Sequence, residues 1–443
     1  MSASTHRIFR IFAALVAAAF VVLPGYALAQ ACYVPPLAGF EFDPAGAPTV
    51  HPVAAHADIP DDANCLACHG DAGKLIGMVK SPEAPPEDGC ATAPSRPPFL
   101  NYFVNETFLA DMDHAKQSCV SCHGGDLAAT DMTAHEGMVD ANETCAECHE
   151  KEVANFDTSL HASLSGQDHA LILRSGAENF AALKHMNQND CATCHTTCSD
   201  CHLTLPLAVG GGLIKGHEFM KRAPMEDSCA LCHGSRAGGE YLGHNEGIVA
   251  DVHFTDEGMH CLDCHKNDLH GDGTVYENRW QVAGRAQCTD CHDALPKSTI
   301  EMHTVEHTDV ACQVCHAQPY QNCFDCHTGI EDGAYFRRAG HKELMLKFGR
   351  NTVEDYPFDY VTVRNNPVAR NSFDYLGEGL LPNFDDHPTW KTAAPHNIVL
   401  RPSQTGSCWN CHLNDDLFLE PPDLDPDGAA ANTNATLSPR RIE

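Results

Sequence analysis

Twenty-two of the 24 cysteines in this 443-residue chain fall into eleven copies of one pentapeptide, Cys-x-x-Cys-His. In order they are Cys65-Leu-Ala-Cys68-His69, Cys119-Val-Ser-Cys122-His123, Cys145-Ala-Glu-Cys148-His149, Cys191-Ala-Thr-Cys194-His195, Cys198-Ser-Asp-Cys201-His202 and Cys229-Ala-Leu-Cys232-His233. There follow Cys261-Leu-Asp-Cys264-His265, Cys288-Thr-Asp-Cys291-His292, Cys312-Gln-Val-Cys315-His316, Cys323-Phe-Asp-Cys326-His327 and Cys408-Trp-Asn-Cys411-His412. Thiols and an imidazole in this order could hold zinc, close disulfides or bind a porphyrin. Neither tetrahedral zinc nor a disulfide framework demands a histidine directly after every second cysteine. Haem attachment does: the two sulfurs reach the two vinyl groups of one haem as thioethers, and the adjacent histidine lies under the iron as proximal ligand. One such pentapeptide could arise by chance, whereas eleven point to eleven covalent haems.

The elements that must position these groups are short. Motif starts are separated by 54, 26, 46, 7, 31, 32, 27, 24, 11 and 85 residues, so the array is irregular and no solenoid. The steps of seven and eleven residues force haems 4 and 5, and haems 9 and 10, into close pairs. With about 37 residues per motif once residues 1–31 are set aside, there is too little polypeptide for a conventional core around each porphyrin. The expected fold is mostly irregular with short α-helices, haem-cored, with little β. A helix is expected over Asn142 to Phe156 and a strand at Tyr360 to Arg364.

Composition is otherwise ordinary, with 43% hydrophobic and 20% charged residues. The net charge of -32 excludes nucleic acid as a partner, because nothing neutralises phosphates, and favours basic partners or cations. Residues 1–31 read as a secretory signal: His6, Arg7 and Arg10 precede an apolar run from Ile11 to Leu23 and Ala27-Leu28-Ala29. That run is too short for a membrane span, and no later segment is apolar enough, so the protein is expected to be exported to the periplasm, the outer surface or the medium. Cleavage after Ala31 would leave Cys32 first and open to lipidation, although Leu28 sits one place too far upstream for the usual lipoprotein signal. Cys32 and Cys90, the two cysteines outside the motifs, are expected to form a disulfide in an oxidising compartment.

The chain resembles the multihaem c-type cytochromes, and the motif series that carries the resemblance runs from Cys65 to His412. The stretch CAECHEKEVANFDTSLHA (145–162) is similar to repeats in outer-membrane decahaem conduits. The stretch from DVHFTDEGMHCLDCHKNDLHGDG through CQVCHAQPYQNCFDCHTG (251–329) is similar to large multihaem cytochromes of metal-reducing and anaerobic respiratory microbes. The resemblance implies electron relay to redox proteins or extracellular acceptors. It also implies distal ligands at His161, His253, His270, His303 and His396. Counting agrees that supply is ample: of 29 histidines, eleven lie in motifs and His6 in the signal, leaving 17 for eleven distal positions. His114 and His307, each four residues short of a motif, join the five; His56, His135, His185 and His217 complete the set because their segments hold few other ligands. His51, His169, His244, His260, His341 and His387 are left over. Met78, Met112, Met138 and Met259 are the competing thioether ligands, which the histidine surplus makes unnecessary.

The segments divide as a signal (1–31), an extended N-terminal stretch (32–64), a haem array (65–327), an aromatic-rich insert with haem 11 (328–412) and a flexible acidic tail (413–443). The insert is read as a lid over haems 10 and 11 in preference to a docking surface. In the tail, Asp423-Leu-Asp425-Pro-Asp427-Gly428 matches the opening of a calcium loop, but Asn434 stands where a bidentate Glu is expected, so a solvated tail is the better reading. An enzyme reducing a small nitrogen or sulfur compound at one open haem is the rival to the relay. No motif ends in the Lys of the nitrite-reductase family, which favours the electron carrier. Filaments built by self-association are the third reading. The two longest gaps suggest that haems 1 and 11 are terminal in the array.

Overall fold

The computed structural model describes residues 62–79, 98–189, 196–322, 328–337 and 344–437, apart from short breaks within those spans. The signal, the Cys32–Cys90 pair and motifs 4 and 10 lie outside the described residues. The chain is mostly irregular, threaded with short helices and a small sheet.

Motif residues build single helical turns, as at Cys119–His123, Cys198–His202, Cys312–His316 and Cys408–His412. Residues three apart share a helix face, so one turn presents both sulfurs to the same side. Where the motif reads Cys-x-Asp-Cys, the aspartate holds the turn's start. Asp200 Oδ2 accepts from Thr197 N at 2.8 Å, Asp263 Oδ2 from His260 N at 2.7 Å and Asp290 Oδ2 from Gln287 N at 2.8 Å. Each satisfies a backbone donor that a helix start leaves orphaned.

The helix expected over Asn142 to Phe156 is broken. Ala141–Thr144 and Glu150–Phe156 are helical, a tight turn covers Cys145–Glu147, and His149 leaves helical geometry at φ -116°, ψ 43°. The break falls where the motif ends and the next helix must leave in a new direction. The run Ser165–Asn189 is the long exception among short helices, and Gly176 interrupts it at φ 68°, a backbone angle that favours glycine.

Beyond the array lies a polypeptide core of its own. Strands β1 (Gln321–Asn322), β4 (Leu344–Arg350), β5 (Tyr360–Asn365) and β6 (Trp390–Thr392) form an antiparallel sheet in the order β1-β4-β5-β6. Between β1 and β4 in the chain, β2 (Thr328–Glu331) and β3 (Ala334–Arg337) pair as a separate hairpin. Strand β5 is buried along most of its length rather than on alternate residues, as expected of a strand covered on both faces.

The expected flexible tail does not hold for residues 413–437. Leu417, Phe418 and Leu419 pack with Phe348, Val361, Val363 and Trp390, and Ala435 and Leu437 close the same cluster. Leu419 N donates to Phe348 O at 2.8 Å, and Leu437 N donates to Leu419 O at 2.8 Å. Trp390 N donates to Asn432 Oδ1 at 2.9 Å. A few apolar residues in an acidic stretch suffice, because each one fills a position over a sheet whose second face would otherwise be wet. Asp423, first of the calcium-like residues, accepts instead from Lys347 Nζ and Glu420 N, at 2.9 and 2.8 Å.

The insert wraps motif 9 and also reaches motif 7, a wider span than a lid over haems 10 and 11. Ala311 N donates to Tyr360 O at 2.8 Å, Val399 N to His316 O at 2.9 Å and Gln404 Nε2 to Ala317 O at 2.7 Å. Among the described residues no helix is long and apolar enough to cross a membrane.

Candidate metal centres

All nine motif histidines whose side chains are described face a second histidine. The pairs, with ring-centre separations, are His69 with His135 (5.9 Å), His123 with His217 (6.0 Å), His149 with His114 (6.4 Å), His202 with His270 (6.0 Å) and His233 with His161 (6.3 Å). The others are His265 with His396 (6.3 Å), His292 with His253 (6.0 Å), His316 with His303 (6.2 Å) and His412 with His307 (6.0 Å). Direct stacking does not require so uniform a gap at ring angles that run from 5° to 78°. Two imidazoles bound through Nε2 to one iron, at roughly 2 Å per bond, place their ring centres on the order of 6 Å apart at any mutual rotation. The residues therefore fit a haem iron between each pair.

Hydrogen bonds to Nδ1 orient several of these rings. His69 Nδ1 donates to Tyr102 O at 2.8 Å, His202 Nδ1 to Met220 O at 2.7 Å and His135 Nδ1 to Met132 O at 3.2 Å. Carboxylates take the proton at two others: Asp111 Oδ2 accepts from His114 Nδ1 at 2.9 Å, and Asp251 Oδ1 from His253 Nδ1 at 2.8 Å. A proton held on Nδ1 leaves the Nε2 lone pair for metal. Burial, and then the neighbouring histidines, hold His217 and His396 down at about 4, so both are neutral at pH 7, as a ligand must be. His217 is also the single non-glycine at positive φ among the described residues, at 70°. Such strain in a half-buried residue persists only where the surroundings over-determine it.

The paired sites are strung together. The Cys65 thiol meets Cys119, Cys145 meets Cys198, Cys229 meets Cys261 and Cys288 meets Cys312, each within hydrogen-bonding reach. Between those contacts, Cys122 lies near Cys148, Cys201 near Cys229, Cys264 near Cys291 and Cys315 near Cys411. These thiols stand in for the thioether sulfurs that haem attachment leaves. The described motifs thus run in the order 1, 2, 3, 5, 6, 7, 8, 9, 11, with motifs 1 and 11 at the ends. Asp62 joins the first two, since its carboxylate accepts from Ser118 Oγ at 2.8 Å and Cys119 N at 3.1 Å. One continuous cavity of about 3190 Å³ is lined by motifs 6, 7, 8, 9 and 11 and by Cys201 of motif 5. Divided among six motifs that is about 530 Å³ each, within the roughly 300–1,000 Å³ of a pocket for one small molecule.

Of the eleven distal candidates, His114, His135, His161, His217, His253, His270, His303, His307 and His396 each stand opposite a motif histidine. His56 and the side chain of His185 lie outside the described residues, as do His195 and His327. Of the spare histidines, His260 Nδ1 accepts from Leu262 N at 3.1 Å and His169 lies 4.0 Å from Glu277, while His51 and His341 lie outside the described residues. Met78 and Met138 are about half exposed, at 54% and 49%, and Met259 offers its carbonyl to Tyr241 Oη at 2.8 Å. Sequence reasoning missed Asp111 and Asp251. The signal was present as an aspartate two or three residues before a distal histidine, in Asp251-Val-His253 and Asp111-Met-Asp-His114.

Residues 144–234 match the family model for cytochrome c554 and c-prime, a span of 91 of the 443 residues that holds motifs 3 to 6. No curated protein and no solved structure matches the chain.

Proposed function

We propose, for a chain similar over that span to the c-type cytochromes, that it is an electron-transfer protein carrying eleven covalent haems, one at each Cys-x-x-Cys-His. The observation that carries this reading is the second histidine opposite every described motif histidine. Bound haem supplies an iron that exchanges one electron between its ferric and ferrous states. The histidines cap both faces, excluding substrates and keeping the geometry similar in both states, which suits relay and not catalysis. The motif order supports a path with ends at haems 1 and 11, serving redox proteins or external acceptors after export. At the second end, the Cys408 thiol is exposed and Trp409 is 55% exposed. His56 and His185 are proposed to cap the remaining two irons.

A haem count on the mature protein tests the attachment sites, and a magnetic spectrum tests the ligation. The expected result is eleven haems that acid acetone does not extract, all low-spin. On this reading an open iron would lie at motif 4 or motif 10, whose histidines are outside the described residues. A strong high-spin signal with turnover of a small nitrogen or sulfur compound would replace the relay by an enzyme.

Attachment and ligation are separable in single variants. His307→Met should retain all its haem, since the Cys408 and Cys411 thioethers are untouched, while the haem opposite His412 gains a higher potential or turns high-spin. Unchanged visible and magnetic spectra would remove His307 from the ligand set.

A further inference from the structure

The distal histidines differ in what their outer nitrogen meets. Asp251 is 2% exposed, and its Oδ1 accepts from His253 Nδ1 at 2.8 Å and from His253 N at 2.9 Å. Its Oδ2 accepts from Ile398 N at 2.8 Å, so the carboxylate is fixed from two sides. Asp111 holds His114 in a similar way, with Nδ1 at 2.9 Å and backbone N–H donors from Asp113 and His114 at 3.0 Å, but its side chain is 20% exposed. By contrast, the Nδ1 atoms of His217 and His303 are buried and meet no hydrogen-bond partner.

We propose that Asp251 and Asp111 are potential-setting residues, which act through His253 and His114 to make haems 8 and 3 the low-potential stations of the path. This rests on the bis-histidine reading of the site. A carboxylate that accepts the Nδ1 proton makes the imidazole a stronger donor to iron. Its negative charge also favours the ferric state, which carries one more positive charge than the ferrous state, so the one electron that reduces the iron enters less readily. Coulombic interaction grows as water is excluded, which makes Asp251 the stronger of the two. Haem 9, opposite the unpartnered His303, is then easier to reduce than haem 8, although Cys288 and Cys312 bring the two sites into contact. Potential therefore rises and falls along the path instead of sloping steadily from one end to the other.

The test is redox titration of the whole haem-loaded protein, with magnetic spectra of the oxidised form, in Asp251→Asn, Asp111→Asn and the control Asp385→Asn, whose carboxylate pairs with Arg370. Asn removes the charge but has one acceptor oxygen, which can still take Nδ1–H of His253 or His114, while its NH2 replaces the oxygen that accepts from Ile398 N in Asp251 and from the Asp113 and His114 N–H groups in Asp111. In Asp251→Asn, one haem's share of the titration should move upward by about tenfold in its reduction equilibrium, or about 59 mV for one electron. Asp111→Asn should move one haem's share by less, and the control should titrate as wild type. Wild-type curves in both Asn variants at full haem count, or a downward shift, would overturn the proposal. If Asp251→Asn fails to accumulate, the more exposed Asp111→Asn decides it alone. A haem deficit in the wild-type protein would instead strike the reading on which the proposal rests.

Discussion

Chain denied its haems should not unfold cooperatively through the array, because the cavity that remains cannot stay open. Without haem the 3190 Å³ space is open to water, and each Å² of apolar lining left wet forfeits about 25 cal/mol. A domain has only about 5–15 kcal/mol of net stability to set against it. The walls must therefore collapse, and they hold little to collapse onto. Between residues 119 and 310 the described buried apolar residues are Leu183, Leu205, Leu213, Ile214, Met220 and Leu242. The sheet region differs, since its cluster from Ala311 to Leu437 is built from side chains. Expression without haem attachment, followed by circular dichroism and hydrogen exchange, should show helical signal largely lost and protection retained mainly in β4 and β5. A sharp unfolding transition with protected amides across residues 119–310 would refute the view that haem supplies that region's core.

How much of this was legible beforehand depends on the range of each interaction. Local chemistry was plain: the pentapeptide sets the attachment turn, and the Asp of Cys-x-Asp-Cys closes on the residue before the motif. The strand at Tyr360 was also visible, in Tyr-Val-Thr-Val. Which histidine faces which motif was not. His114 precedes motif 2 in the chain yet faces His149 of motif 3, and His396 crosses from the insert to His265. Such choices follow from how the motif turns stack in space, and spacing along the chain does not encode that. The tail misled for a related reason. Its average composition is that of a solvated segment, while Leu417 to Leu419 alone decide where it goes.

Glu240→Ala should cost the haem-loaded protein about 3–5 kcal/mol, the loss typical when one partner of a buried ion pair is removed. Glu240 is fully buried in the single turn Gly238–Tyr241 that follows motif 6. Its Oε1 accepts from Arg364 Nη2 of β5 at 2.6 Å and from Tyr320 Oη, and its Oε2 accepts from His396 N at 2.7 Å. One carboxylate thus ties the motif 6 turn, the sheet and the backbone of the histidine opposite motif 7. Truncation leaves the Arg364 charge, whose side chain is 9% exposed, without its counter-ion, and strands two more donors in the interior. Glu240→Gln keeps the volume but one acceptor oxygen in place of two; turned to His396 N, that oxygen should retain the position of His396 while the charge pair with Arg364 is lost. The decisive arm is the double variant Glu240→Leu with Arg364→Met. Replacing both charges by apolar groups is often neutral or better, so the pair should recover the part of the Glu240→Ala loss that comes from the unpaired Arg364 charge, leaving the part from Tyr320 Oη and His396 N. Denaturant unfolding measures each term, and the low-spin signal reports whether His396 stays in place. A Glu240→Ala variant within about 0.5 kcal/mol of wild type, the range of ordinary surface substitutions, would show that this carboxylate does not hold the sheet to the array.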